Sequence, residues 1–218
     1  MPISDTIVQQ DAFSAYKDGT GGMVHLNRRG DIVTPDFYQQ LVMDGRVFQI
    51  NNAAFETAEA LSTAFGTNGE SPSIYVGVPS GTTIMPLEIR LTQGGTVGAD
   101  AWTCLVAYEN SIPASVSVTA RVPINMRTDR PHASTCTCGV TGTVTAPGDD
   151  ALIHGGIYTQ MVADPVHPSQ DVLWSARDSL APVIVGGGCL LIYAFVATTG
   201  PSLFYRVVWA EFPTVNAT

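Results

Sequence analysis

The sequence predicts an all-β protein, a jelly-roll-like antiparallel β-sandwich with one or two short helices. Three observations carry that expectation. Valine and threonine are abundant, 21 glycines and 14 prolines punctuate the chain, and strong helix formers such as lysine and glutamate are scarce. Short runs with period-two alternation recur along the length. Turn signals separate most of those runs, among them Asn68-Gly69, Gly94-Gly95, Pro147-Gly148 and Thr199-Gly200-Pro201. At 218 residues the chain has the length of one sandwich domain, so residues 1–218 are read as a single unit.

The strands expected in order are Met23–Asn27, Asp31–Thr34, Arg46–Ile50, Ser73–Val78, Thr82–Gln93, Ala101–Glu109, Ser115–Pro123, Thr135–Thr145, Gly156–Val162, Ala181–Thr198 and Leu203–Phe212. The stretch Ala181–Thr198 is broken by glycines 186–188, which read as a bulge or a close backbone approach. Pro86 interrupts Thr82–Gln93, and proline in a sheet belongs at edges, bulges and corners. It therefore predicts a bulge there, with Leu87, Ile89 and Leu91 turned inward and Glu88, Arg90 and Thr92 outward. Pro113 and Pro123 predict corners on other strands.

The last two runs, "CLLIYAFVATTGPSLFYRVVWAEF", read as a hairpin of two central strands. In the second of them Phe204, Arg206, Val208 and Ala210 share one face, and Tyr205, Val207, Trp209 and Glu211 the other. Helical spacing of Phe55, Ala58, Leu61 and Phe65 favours a short helix within Asn51–Gly66, against a competing strand-and-loop reading. Asp36–Gly45 adds one helical turn. The polar, Gly/Pro-rich stretch Gly142–Gly156 suits an exposed tip.

Charge narrows the function classes. Only 13% of residues are charged, the net charge is −9, and Lys17 is the single lysine. No basic cluster exists to release counterions from phosphates, so nucleic acid is not an expected partner. An anionic membrane surface would repel the chain, and no apolar run approaches the length of a spanning helix. The first residues lack a secretory signal, which points to synthesis in a cytoplasm and free thiols.

The search for chemistry yields weak candidates. Cys104 and Cys189 lie in apolar runs and read as core. Cys136 and Cys138 share one face of a strand, where His132 could join them, but the sequence names no fourth ligand at a standard spacing. His154 with Asp149 and Asp150 is a further combination without a spacing rule, and His25 and His167 stand alone. Glu88, Glu109 and Glu211 have the residue type of glycosidase carboxylates, yet each falls on an outward slot where a solvated carboxylate is the ordinary explanation. Trp102, Trp174 and Trp209 are candidate sugar platforms that core packing explains better. Gly19–Gly22 lacks the Lys-Ser/Thr of a phosphate cradle. The tripeptides at 29–31 (RGD) and 216–218 (NAT) are explained by chance. No catalytic, cofactor-binding or metal-binding residue is assigned, and no cofactor is expected.

The order "VHLNRRGDIVTPDFYQQLVMDGRVFQI…VPSGTTIMPLEIRLTQ…LLIYAFVATTGPSLFYRVVWAEF" resembles the β-rich capsid cement or decoration proteins of tailed-phage particles. The resemblance implies a non-enzymatic jelly-roll protein, made in the host cytoplasm and placed on the outer capsid surface of the virion. It implies a homo-oligomer, a trimer, that contacts the major capsid protein, with residues 1–22 as an N-terminal arm on neighbouring subunits. Another virion component (tail, fibre or capsid protein) and a carbohydrate-binding β-sandwich remain as alternatives, as does an enzyme on the same scaffold.

Overall fold

The computed structural model describes residues 36–51, 58–61, 65, 70–94, 101–129, 131–145, 151–158, 171–198 and 200–214. The arm at 1–22, the strands expected at Met23–Asn27 and Asp31–Thr34, and His25, His167, Asp149 and Asp150 lie outside these residues. So do Gly19–Gly22 and the tripeptides at 29–31 and 216–218.

Helix α1 (Phe37–Met43) is the first element among the described residues, where the sequence calls for a helical turn. Gly45 stops it by adopting φ 73°. Its N–H donates to Val42 O at 3.0 Å while the Arg46 N–H reaches Leu41 O at 3.0 Å. That pair of bonds is the Schellman arrangement, which satisfies the last carbonyls and favours glycine.

The strands that follow are β1 (Val47–Asn51), β2 (Glu59–Ala60), β3 (Ile74–Gly77), β4 (Thr82–Gly94), β5 (Trp102–Glu109), β6 (Ser115–Arg121) and β7 (Ile124–Asn125). Then come β8 (Thr137–Thr145), β9 (Ala151–Tyr158), β10 (Asp171–Ser175), β11 (Ile184–Val185), β12 (Cys189–Val196) and β13 (Ser202–Pro213). They form two antiparallel sheets. The first runs β10-β4-β13-β1-β7, with β11 also on β4 and β2 on β13, and the second runs β6-β8-β3-β12-β5-β9. Counting β1, β3, β4, β5, β9, β10, β12 and β13 as strands one to eight, the sheets read 1-8-3-6 and 2-7-4-5. That is the connectivity of a jelly roll. Of the remaining strands, β6, β7 and β8 are inserted between the fourth and fifth and widen both sheets, while β2 adds to β13 and β11 to β4.

Three expectations about whole segments need correction. The strands β12 and β13 do not form a hairpin, because β12 lies between β3 and β5 while β13 lies between β4 and β1. The Gly-Pro segment between them carries the chain from one sheet to the other. Both strands are central, as their apolar runs required. The helix expected within Asn51–Gly66 gives way at its described residues, since Asn51 ends β1 and Glu59–Ala60 pair with Ser202 and Leu203. Here the strand-and-loop alternative wins because β13 offers Glu59–Ala60 a ladder to join. Third, the stretch Gly142–Gly156 is not one loop, since residues 142–145 finish β8 and 151–156 belong to β9.

Pro86 does mark a bulge. Val208 pairs with Glu88 and Trp209 with Pro86, so Leu87 is the extra residue. The bulge reverses the alternation. Ile84 faces the space between the sheets, Leu87 joins Leu41, Val47, Val208, Ala210 and Phe212 under helix α1, and Ile89 and Leu91 face inward again. The expectation for Leu87 was therefore wrong by one face, because a bulge sets two consecutive side chains on the same side.

Between the sheets, Phe48, Trp209, Trp102, Ile89 and Leu190 are completely or almost completely buried. Phe48 and Trp209 stack with ring centres 6.5 Å apart. The second sheet is apolar on both faces. Leu190 and Ile192 of β12 point to the interior, while Leu191 and Tyr193 pack outward with Tyr75 and Val144 under Phe65. Burial on both faces explains the unbroken run "CLLIYAFV". In the same outer cluster burial pushes the Tyr75 hydroxyl up to about 12, helped by the nearby Cys189 thiol.

Two backbone positions give direct predictions. Thr141 is the extra residue of a second bulge, opposite Val118 and Thr119, and it sits at φ 44°. A β-branched residue in the left-handed region is strained by roughly 1–2 kcal/mol. Thr141→Gly is expected to raise stability by about 0.5–1 kcal/mol after glycine's greater unfolded freedom is deducted; a lower urea midpoint would refute the strain. Gly186 is a close approach of backbones, as its sequence suggested. A Cβ there would lie 2.5 Å from Pro79 O and 2.9 Å from both Ser80 Cα and Thr82 O. Gly186→Ala is expected to cost about 1–3 kcal/mol in urea unfolding.

Candidate functional site

A cleft of about 660 Å³ opens at one end of the first sheet, where the loop after α1, the start of β4, the end of β13 and the segment leading into β8 meet. Its chemistry-bearing side chains are Asp44, Arg46, Arg127, His132, Thr135 and Glu211.

Glu211 is the centre of the cleft's hydrogen bonding. One carboxylate oxygen accepts the Trp209 indole N–H at 2.9 Å and the Ser134 hydroxyl, and the other accepts the Thr135 N–H and hydroxyl, each at 3.1 Å. The Thr135 hydroxyl also meets the Thr82 hydroxyl at 2.9 Å. Glu211 was expected as a solvated carboxylate. It is a pin instead, fixing the chain before β8 to the end of β13. With four donors on its two oxygens it is not poised as a general base. Glu211→Ala leaves those donors without their acceptor and is expected to lower stability by about 2 kcal/mol. Glu211→Gln keeps part of the set and is expected to cost less. Denaturant midpoints of the two variants test this ordering.

His132 stands edge-on to Phe48, ring centres 5.3 Å apart, with Nδ1 3.4 Å from the Asn125 side-chain nitrogen. Asn125 is buried, donates to Gly45 O at 2.8 Å and accepts from the Arg127 N–H at 2.8 Å. Arg127 forks onto Asp129 at 2.8 and 3.1 Å and also donates to Met43 O. The Arg46 guanidinium lies 5.7 Å above the Phe212 ring centre. The cleft is thus a polar clamp whose groups hold one another, with no nucleophile-and-base pair.

Cys136 and Cys138 share a face, as their spacing required, but that face is the core. Burial pushes both thiols well above the ordinary thiol range, and the Glu211 carboxylate adds to the effect. A metal ligand must be a thiolate, so these are poor candidates. Among the described residues no three His, Cys, Asp or Glu side chains gather into a metal-binding group. Cys104 and Cys189 are fully buried, as expected for core thiols. His154 lies on β9 and meets the Tyr158 hydroxyl at 2.8 Å, away from the cleft. Of the other carboxylates, Glu88 faces Arg206 at 3.4 Å on the outer surface of the first sheet. Glu109 is only 2% exposed, which corrects its expected place on the surface. Trp102, Trp174 and Trp209 are all buried.

Sequence reasoning missed Asn125, Ser134 and Thr135. Asn125 sits in a two-residue strand with no alternation of its own, and Ser134 and Thr135 take their meaning from a carboxylate 76 or more residues away. No helix among the described residues is long and apolar enough to cross a membrane. No family model matches the chain, and no curated protein or solved structure matches it significantly.

Proposed function

We propose that this chain is a non-enzymatic structural component of a virus particle, a capsid cement or decoration protein that works by contacts with its own copies and with the major capsid protein. The observation that carries the reading is the strand order, 1-8-3-6 over 2-7-4-5. Jelly rolls of this kind serve in viral capsids, lectins and cupins, so fold alone does not choose among them. The side chains favour the first. A sugar-binding role calls for an aromatic platform, and all three tryptophans are buried. An enzyme calls for a nucleophile with its base or a group of ligands, and the cleft's polar side chains are occupied with one another. The low charge content and the acidic balance suit a protein that packs against other subunits and does not compete for a packaged genome.

The same strand order supports a second reading, a subunit of the shell itself, which differs only in address. Light scattering on a sizing column, followed by sedimentation with purified particles, tests both. A trimer near three times 23.0 kDa, or a pair of such trimers, that binds preformed shells is expected of a cement protein. Self-assembly into closed shells would favour the shell subunit. A monomer at all concentrations that binds immobilised glycans would overturn both.

A further inference from the structure

We infer that β9 is a self-pairing edge, where two copies of this chain join antiparallel about a two-fold axis through Gly155. The contact rests on the reading of the chain as a self-assembling structural protein, and it names one of the surfaces used.

Among the described residues β9 pairs with β5 along one side and with no strand along the other. A free edge presents a row of unpaired N–H and C=O groups, and proteins that stay monomeric blunt such edges with charge, proline or brevity. Two of the other edges do so: strand β7 has two residues, and β10 opens on Asp171 paired with Arg90 at 3.0 Å. The third, β6, exposes the polar side chains Ser115, Ser117 and Thr119 and closes on Arg121. Strand β9 has eight residues, no proline and no Asp, Glu, Lys or Arg. It exposes Leu152 at 62% and Ile157 at 75%.

The choice of a second copy as partner follows from charge and from register. Two copies carrying −9 each repel, and an uncharged edge is where they approach at least cost. The register is self-complementary. Val106 pairs with His154 and Ala107 with Leu152, so Ile153 is an extra residue and the bulge counts as one step. With that step, Leu152, Gly155 and Ile157 lie on the outer face, and Ile153 and Tyr158 pack toward the core. A two-fold axis at Gly155 sets Gly155 opposite Gly155, Leu152 opposite Ile157, and Ala151 opposite Tyr158. Every pair then matches in face, as cross-strand neighbours must. The outer apolar patch closes over the axis. A Cβ on Gly155 would lie 3.1 Å from Leu105 Cδ2 and 3.3 Å from Leu152 Cδ2, so glycine lets these two leucines meet above the strand.

The test compares the solution mass of the wild-type chain with that of L152K/I157K. Both positions are exposed, so circular dichroism should show an unchanged fold. The mass is expected to halve, from dimer to monomer or from a pair of trimers to a single trimer. Geometry is tested with L152C/I157C and a short bis-maleimide, since the native thiols are buried. The double variant should cross-link into a covalent dimer, and L152C alone should not, because position 152 faces 157 across the axis. An unchanged mass for the lysine variant, or equal cross-linking of L152C alone, would overturn this contact. Failure of particle binding with the halved mass intact would instead overturn the virion reading and leave the edge in place.

Discussion

At about pH 10.5 the protein is expected to lose most of the stability it has near neutrality, even with reductant present. Cys104, Cys136 and Cys138 are buried in the shared core. Burial raises the Cys104 thiol from 9.0 to about 12, and it raises Cys136 and Cys138 further. Their protonated forms are favoured only in the folded state. The stability they confer is therefore complete below the ordinary thiol value and is lost as pH rises toward the folded values, because the unfolded chain releases protons that the folded chain retains. Each thiol contributes about 1.4 kcal/mol per pH unit in that window, so three thiols over roughly 1.5 units amount to about 6 kcal/mol. That is comparable to the whole stability of an ordinary domain. Urea unfolding at stepped pH checks the slope, to which the three thiols should contribute about three protons, with Tyr75 adding to it above pH 10, and which should fall by about one for each cysteine replaced by alanine. A midpoint that stays flat to about pH 10.5 would show that the thiols are not in the dry core described above.

Trp209→Ala is expected to cost about 4 kcal/mol, the range of large aromatic truncations in a packed core. The side chain is completely buried, stacks on Phe48 and donates its indole N–H to Glu211. Its loss opens a cavity between the sheets and releases the carboxylate that pins the chain before β8. Trp209→Phe keeps a ring against Phe48 and should cost less than half as much. Equal effects for the two variants would mean that the indole N–H, not the packing, dominates. Denaturant midpoints separate the cases.

Alternation and turn residues were enough to place most of the strands and to name the fold class. They work where the two faces of a strand differ in burial, as in Trp102–Val106, where buried and half-buried residues alternate. They fail where pairing partners lie far apart. The apolar runs of β12 and β13 look like a hairpin because each is buried on both faces, and nothing local shows that they enter different sheets. Strand β10 was missed because Leu173, at 58% exposed, breaks the contrast with Val172 and Trp174. Short partners such as β2 and β7 exist only because β13 and β1 offer them a ladder. The cleft was half visible. Glu211 and His132 were singled out by residue type, but a carboxylate that takes three of its four donors from Ser134 and Thr135, 76 or more residues away, has no signature in sequence spacing.

The pairing of β1 with β13 also governs when the protein can fold. Val47 lies opposite Ala210 and Phe48 opposite Trp209, so β1 finds this neighbour only after β13 has been made. During synthesis the intervening strands accumulate with their apolar faces uncovered. Non-local pairing of this kind is slow and exposes aggregation-prone edges in the interval. Closure of the first sheet therefore waits until β13 has been synthesised. A chain truncated before β13 would lose the central strand of its first sheet, and with it the shared neighbour of β4 and β1.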